Sequence, residues 1–343
     1  MRIRTAVAAS LVAAFTLAFA SIASAQFYSQ RNLVSDGAVP AEHLDADLVN
    51  AWGLASSATS PWWVADNGTS KSTLYTGEGV KQGLVVSVPN APTGVVFKST
   101  TGFDGARFIF STEEGKILAW SGGSAAVVVA DKSGTGAVYK GLAISAAGPY
   151  LYATNFHAGS VDVFDSAFQP TTVPGGFRDP TIPAGYAPFG IQNIGETIYV
   201  TYALQDPAAH DDVPGEGHGY VNAFDTAGNL LRRVASQGPL NSPWGLARAP
   251  ANFGKFSNDL LVGNFGDGRI HAYDPNDSYE LRGPLHSTHG RPIEIDGLWA
   301  LQFGTGSTNS GPANVLFFTA GPFEEGHGLF GRLEAAEPPG RNR

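Results

Sequence analysis

Cysteine is absent from all 343 residues. That excludes disulfides, thiolate nucleophiles and thiolate metal sites, so an exported form of this chain must hold together by packing alone. Charge is scarce: Asp, Glu, Lys and Arg make up 15% of the chain, with 21 basic against 30 acidic residues and a net charge of −9. Without clustered Lys and Arg, nucleic acid and anionic membrane surfaces are excluded as partners. Beyond the N-terminus no apolar run is long enough to span a bilayer. There is no nucleophile elbow of the Gly-x-Ser-x-Gly type and no phosphate loop, which removes the commonest hydrolase and nucleotide signatures.

What the chain has in plenty is turn-formers, with 43 Gly and 22 Pro, and core material, with 43% hydrophobic residues. Many short elements joined by tight turns are expected. Residues 1–25 read as a signal peptide. Arg2 and Arg4 precede an apolar stretch from Ala6 to Ala20, and Ala23-Ser24-Ala25 forms a small-x-small cleavage site. A retained N-terminal anchor is the alternative. Cleavage after Ala25 leaves 19 basic and 30 acidic residues, net −11, in a secreted or periplasmic protein.

A short phrase recurs, in which a turn leads into Gly and then apolar residues. Its copies are Asn50-Ala51-Trp52-Gly53-Leu54-Ala55, Pro92-Thr93-Gly94-Val95-Val96, Tyr139-Lys140-Gly141-Leu142-Ala143, Pro188-Phe189-Gly190-Ile191, Pro243-Trp244-Gly245-Leu246-Ala247 and Ile295-Asp296-Gly297-Leu298. The six glycines recur at intervals of 41 to 55 residues. Each is followed by a second β-rich run (such as Tyr150–Ala153), a polar turn and a third (such as Val161–Phe164); a looser fourth usually follows (such as Leu230–Val234). Four short strands per repeat at this period predict an all-β, six-bladed β-propeller with four-stranded antiparallel blades. Glycine on each first strand lets six backbones converge on the axis. The sixth repeat runs out after its third strand. Gln26–Ser35 has strand character and is expected to close that blade, leaving no open edge. The propeller is read as one domain, 26–336, with a polar tail at 337–343, and is expected to be a monomer.

The segments Asn32-Leu33-Val34-Ser35-Asp36, Leu48-Val49-Asn50-Ala51-Trp52-Gly53, Val138-Tyr139-Lys140-Gly141-Leu142-Ala143, Ala187-Pro188-Phe189-Gly190-Ile191-Gln192, Pro243-Trp244-Gly245-Leu246-Ala247, Leu261-Val262-Gly263-Asn264-Phe265-Gly266-Asp267-Gly268 and Phe318-Thr319-Ala320-Gly321 span nearly the whole mature chain. On these segments the sequence resembles a family of exported bacterial and fungal six-bladed propellers that carries no agreed activity. More distantly, its repeats are similar to NHL-type propellers and to the gluconolactonase and paraoxonase class. That second likeness implies a metal on the axis; it is a likeness of fold, and fold alone does not give function.

In a propeller, the loops entering the first strands and those joining strands two and three share one face, and that mouth is the expected ligand site. An oxygen-rich set there, Asn67, Glu113, Asn155, Asn264 and Asp296, suits a hard cation such as Ca²⁺, with Glu113 placed to activate water. The alternative is that these residues cap the turns in which they sit. Glu216-Gly217-His218-Gly219 and Glu325-Gly326-His327-Gly328 are the same tetrapeptide in repeats four and six. With His157 they make a second candidate, a transition-metal site or acid–base pair, against the plainer reading of Gly-His-Gly as a turn. Trp52, Phe189 and Trp244, beside the repeat glycines, either stack on a flat ligand such as a sugar ring or plug the channel. Lys140 and Asp296 are expected to face each other across the axis. Repeat four also carries a longer loop, Gln205 to Gly219, with Asp206, His210, Asp211 and Asp212.

Three functions follow in order of preference. The first is a binding or scaffold module for a small molecule or an extracytoplasmic protein or glycan. The second is a Ca²⁺-dependent hydrolase of lactones or esters. The third is a lyase or redox enzyme using histidines and a transition metal. No organic cofactor is implied.

Overall fold

The computed structural model describes residues 26–98, 102–146 and 148–337. The expected signal peptide, and all of the polar tail after Glu337, lie outside the described residues. Six sheets follow one another along the chain, antiparallel throughout except for the short strand His43–Leu44, which pairs parallel with Val34 and Ser35 on the sixth. Blade one comprises Ala51–Ala55, Trp62–Asp66, Lys71–Tyr75 and Val86–Ser87. Blade two comprises Pro92–Phe97, Phe108–Thr112, Lys116–Trp120 and Val127–Asp131. Blade three comprises Tyr139–Ile144, Leu151–Asn155, Ser160–Phe164 and the two residues Pro170–Thr171. Blade four holds Tyr186–Ile194, Thr197–Leu204, Tyr220–Phe224 and Leu230–Ser236. Blade five holds Pro243–Arg248, Leu260–Asn264, Ile270–Asp274 and Glu280–Pro284.

Blade six is completed from the other end of the chain, as expected. Leu298–Phe303, Leu316–Ala320 and Leu329–Ala336 are joined by Phe27–Ser35, which pairs antiparallel from Phe27 opposite Ala336 to Ser35 opposite Leu329. The same N-terminal strand reaches blade five, where the Tyr28 N–H donates to His286 O at 2.9 Å. Its ring is fully buried, and its hydroxyl donates to Phe253 O while accepting from Phe256 N–H. Helix is confined, among the described residues, to four single 3-10 turns. No helix among them is long and apolar enough to cross a membrane.

Each innermost strand packs against the innermost strand of the next blade, and the six make a closed ring. Every one carries a register break at the same point, at Ala51/Leu54, Pro92/Val95, Tyr139/Leu142, Pro188/Ile191, Pro243/Gly245 and Leu298/Leu301. A bulge there turns one side chain toward the axis and brings the next residue against the neighbouring strand. A Cβ on Gly190 would lie 2.1 Å from Trp244 O, and one on Gly245 would lie 2.4 Å from Trp299 O. Convergence of backbones is therefore the reason for glycine at this step.

The sixth repeat differs from its expected alignment. The bulge falls at Trp299-Ala300, three residues beyond Asp296-Gly297. Gly297 instead sits in the entry turn at φ +64°, packed on Gly321. The axial positions are thus Trp52, Thr93, Lys140, Phe189, Trp244 and Trp299.

Candidate functional site

Four of the six axial side chains are aromatic and lean on one another. Trp52 stacks on Trp299 with centroids 3.7 Å apart, Trp244 meets both edge-on, and Phe189 tilts against Trp299. Phe156 and Phe265, from the strand-two to strand-three loops of blades three and five, cover Phe189 and Trp299 in turn. Trp52 and Phe189 are 1% and 0% exposed and Trp244 9%. Their faces are taken up by each other, so these rings close the channel and offer no stacking surface.

Above this plug lies a chain of polar side chains. Lys140 is 2% exposed, its ammonium 5.2 Å from the centroid of the Trp52 ring. It donates to Glu113 and, at 2.9 Å, to Asp211 of the long blade-four loop. Glu113 also accepts from Asn67 Nδ2 at 3.0 Å. Asn67 Oδ1 accepts from Asn50 Nδ2, which also donates to Glu325 Oε2 at 2.6 Å. Asn50 Oδ1 accepts from the Trp299 indole, and the Trp244 indole donates to Lys140 O. Residues of all six blades are thereby tied together at one end of the axis. Trp52 Nε1, beneath them, has no acceptor among the described residues.

The charges follow from this wiring. Burial acts to lower the Lys140 ammonium, but Glu113 and Asp211 outweigh it and hold it above the ordinary lysine range. Burial acts to raise Asp211, and Lys140 and His210 outweigh it in the other direction. Burial pushes the Glu325 carboxyl up; the Asn50 bond opposes that, and the charges of Glu113 and Asp211 add to it. Solvent reaches this end mainly through Asp211, whose side chain is 63% exposed, His210 at 49%, and the exposed Phe323 on the Glu325 loop.

Several expected site residues lie elsewhere. Asn155 accepts from the Ala158 N–H and donates to Asp162, and Asn264 donates to Pro239 O and Asp267; both hold their own turns. Asp296 accepts from the Phe323 N–H at 2.8 Å and does not face Lys140, whose partners are Glu113 and Asp211. The three histidines do not gather. His218 bonds Val213 O, His327 pairs with Asp36 near the N-terminal strand, and His157 lies exposed against Gly136. Asn67, Glu113 and Lys140 are brought together as the repeat register implied, with Asp211, Asn50 and Glu325 as further members.

Among the described residues one group of His, Asp and Glu gathers potential metal-ligating atoms within 4.8 Å of one another: Glu113, His210 and Asp211. The donor set does not suit a hard cation. The Lys140 ammonium already lies at hydrogen-bond distance from both carboxylates, so a second cation would meet a like charge where its ligands converge. Asn155 and Asp296, which a Ca²⁺ shell would also need, already accept backbone N–H groups of their loops.

No family model matches the chain. Two proteins of Acanthamoeba polyphaga mimivirus are similar over 325 residues. "Uncharacterized protein R648" is 34% identical, covering 88% of this chain and 78% of its own length. "Uncharacterized protein L690" is 33% identical, covering 88% and 84%. Among solved structures, one from Bacteroides thetaiotaomicron, described as a structural genomics protein of unknown function, superposes with a TM-score of 0.59 at 10% identity, covering 90% of this chain and 76% of that one. Virginiamycin B lyase from Staphylococcus aureus with quinupristin gives 0.52 at 15% identity, covering 83% and 80%. At such identities the likeness is one of fold.

Proposed function

We propose that this chain, which belongs to the same family as the mimivirus proteins R648 and L690, is an exported binding module whose axial mouth takes a neutral, hydroxyl-rich ligand such as a carbohydrate. One observation carries the reading: donors and acceptors alternate at the mouth. Lys140, Asn67 and Asn50 donate, Glu113, Asp211 and Glu325 accept, and five blades bring them to one place. A sugar hydroxyl both donates and accepts, so it fits such a network without leaving a buried charge unpaired. Phe323, 58% exposed on the Glu325 loop, and the half-buried Phe265 supply apolar surface at the rim. The export signal read at residues 1–25 would bring the mouth to extracytoplasmic glycans.

The test is calorimetric titration of the mature protein with glucose, galactose, mannose, N-acetylglucosamine and their β-linked disaccharides. At least one is expected to bind, and Asp211→Ala is expected to weaken it tenfold or more. If none of them gives saturable binding to the wild-type protein, the reading fails.

A second reading, a hydrolase of esters or lactones, rests on the split between Glu325, held up by burial, and Asp211, held down by Lys140. Carboxyls driven apart in this way serve as acid and base in hydrolytic sites. Turnover of an ester or lactone that Glu325→Gln abolishes would favour it over binding alone.

A further inference from the structure

Away from the axis, a groove of about 800 Å³ opens between blades three and four, within the roughly 300–1,000 Å³ range of ligand sites. Its origin is a strand that stops short. The fourth strand of blade three is only Pro170–Thr171, paired with Phe164 and Val163. The chain then leaves the blade, and Gly175 N–H and Phe177 N–H donate to Ala227 O and Gly228 O in the outer turn of blade four. The third strand, Ser160–Phe164, is left uncovered over its first half.

Hydrogen-bond parity identifies what is exposed. Asp165 N–H donates outward to Gln169 O, so Asp165, Val163 and Val161 present their N–H and C=O to the missing strand. Asp165 and Val163 are served by Gln169 and Thr171. Val161 has no outward backbone partner among the described residues, and it lines the groove. Val173, Phe177, Ile182 and Tyr186 form the apolar walls.

The charges along this groove are unequal in availability. Asp162 is engaged by Tyr139 and Asn155, and Asp179 by Thr181, Asn222 and Arg233. Lys132 and Arg178, at the rim, have no side-chain ion pair or hydrogen bond among the described residues. In a protein of net charge −9 the free charge of this groove is therefore positive.

We infer that the groove receives an extended acidic peptide segment of a partner protein. It adds to blade three as the rest of the missing fourth strand, with its backbone on Val161 and its carboxylates on Lys132 and Arg178. Strand addition to an open edge takes its affinity from main-chain bonds and its selectivity from flanking side chains. This site is separate from the axial mouth and does not depend on the ligand proposed there.

The probe is a labelled, acetylated heptapeptide of alternating Glu and Val, measured by fluorescence polarisation against a twin with Lys for Glu. The acidic peptide is expected to bind at least tenfold tighter than the twin. Val161→Pro removes one unpaired N–H and no ladder bond, and is expected to cut binding tenfold or more, as is the Lys132→Glu/Arg178→Glu double variant. On the wild-type protein, the Val161 amide should gain protection from hydrogen exchange when the peptide is present; this decides the matter should the proline variant fail to fold. Absence of saturable binding, equal binding of the twin, or an unprotected Val161 amide would overturn the inference.

Discussion

Lys140 and Asp66 show how differently two charged side chains can be kept inside one protein. Lys140 is enclosed but meets two carboxylates. Asp66, fully buried on the second strand of blade one, accepts only the Thr73 N–H at 2.9 Å through one oxygen. Its other oxygen and the Thr73 hydroxyl are buried without a hydrogen-bond partner among the described residues. Burial holds the Asp66 carboxyl well above its ordinary range, Thr73 opposes this, and Asp45 and Asp47 add to it. The native state therefore keeps a proton that the unfolded chain releases. Stability from this group is full below the ordinary carboxylate range and is lost as pH rises through the elevated folded value. Asp66→Asn keeps the shape without the ionisation. Its melting temperature at pH 8 is expected to exceed the wild-type value by about 2–4 °C, the gap closing toward pH 4, when followed by circular dichroism. The same contrast explains which site residues the sequence disclosed. Trp52, Lys140, Asn67 and Glu113 sit at fixed offsets from repeat glycines or second strands, so the register locates them. Asp211 lies in an insertion that has no counterpart in the other blades, and Asn50 and Glu325 meet only because blades one and six adjoin. Nothing local marks those three as partners.

Among the elements, the N-terminal strand does the most for closure. It supplies the fourth strand of blade six and fastens that blade to blade five through Tyr28. Tyr28→Ala removes a fully buried ring and both of its hydrogen bonds, and is expected to lose about 3–5 kcal/mol. Tyr28→Phe keeps the ring, and about 1–2 kcal/mol is expected to go with the hydroxyl. Denaturant melts of the two variants separate packing from hydrogen bonding. Strand count, blade number and this closure were legible because period-two runs and turns repeat six times. The register of blade six was not, because two Gly- or Ala-Leu steps lie three residues apart, Gly297-Leu298 and Ala300-Leu301. Only pairing with Leu316–Ala320 distinguishes them.

At the scale of the whole molecule, the fold is shared with proteins only 10–15% identical to this one, so ring geometry survives almost any change of surface. The axis of this chain is filled by its own side chains: aromatic rings close the channel, and a lysine stands among the acids where the gluconolactonase-like resemblance implied a metal. The most direct test is thermal melting of chelated wild-type protein and of Lys140→Gln, each with and without 1 mM Ca²⁺ (about three orders above trace contamination, and so well beyond tight binding). The account predicts no shift for the wild type and a rise of several degrees for Lys140→Gln, whose Glu113 and Asp211 are left without a cation. A wild type stabilised by Ca²⁺, with that stabilisation lost when Glu113 and Asp211 are replaced by their amides, would contradict the placement of the lysine as the cation of the axis.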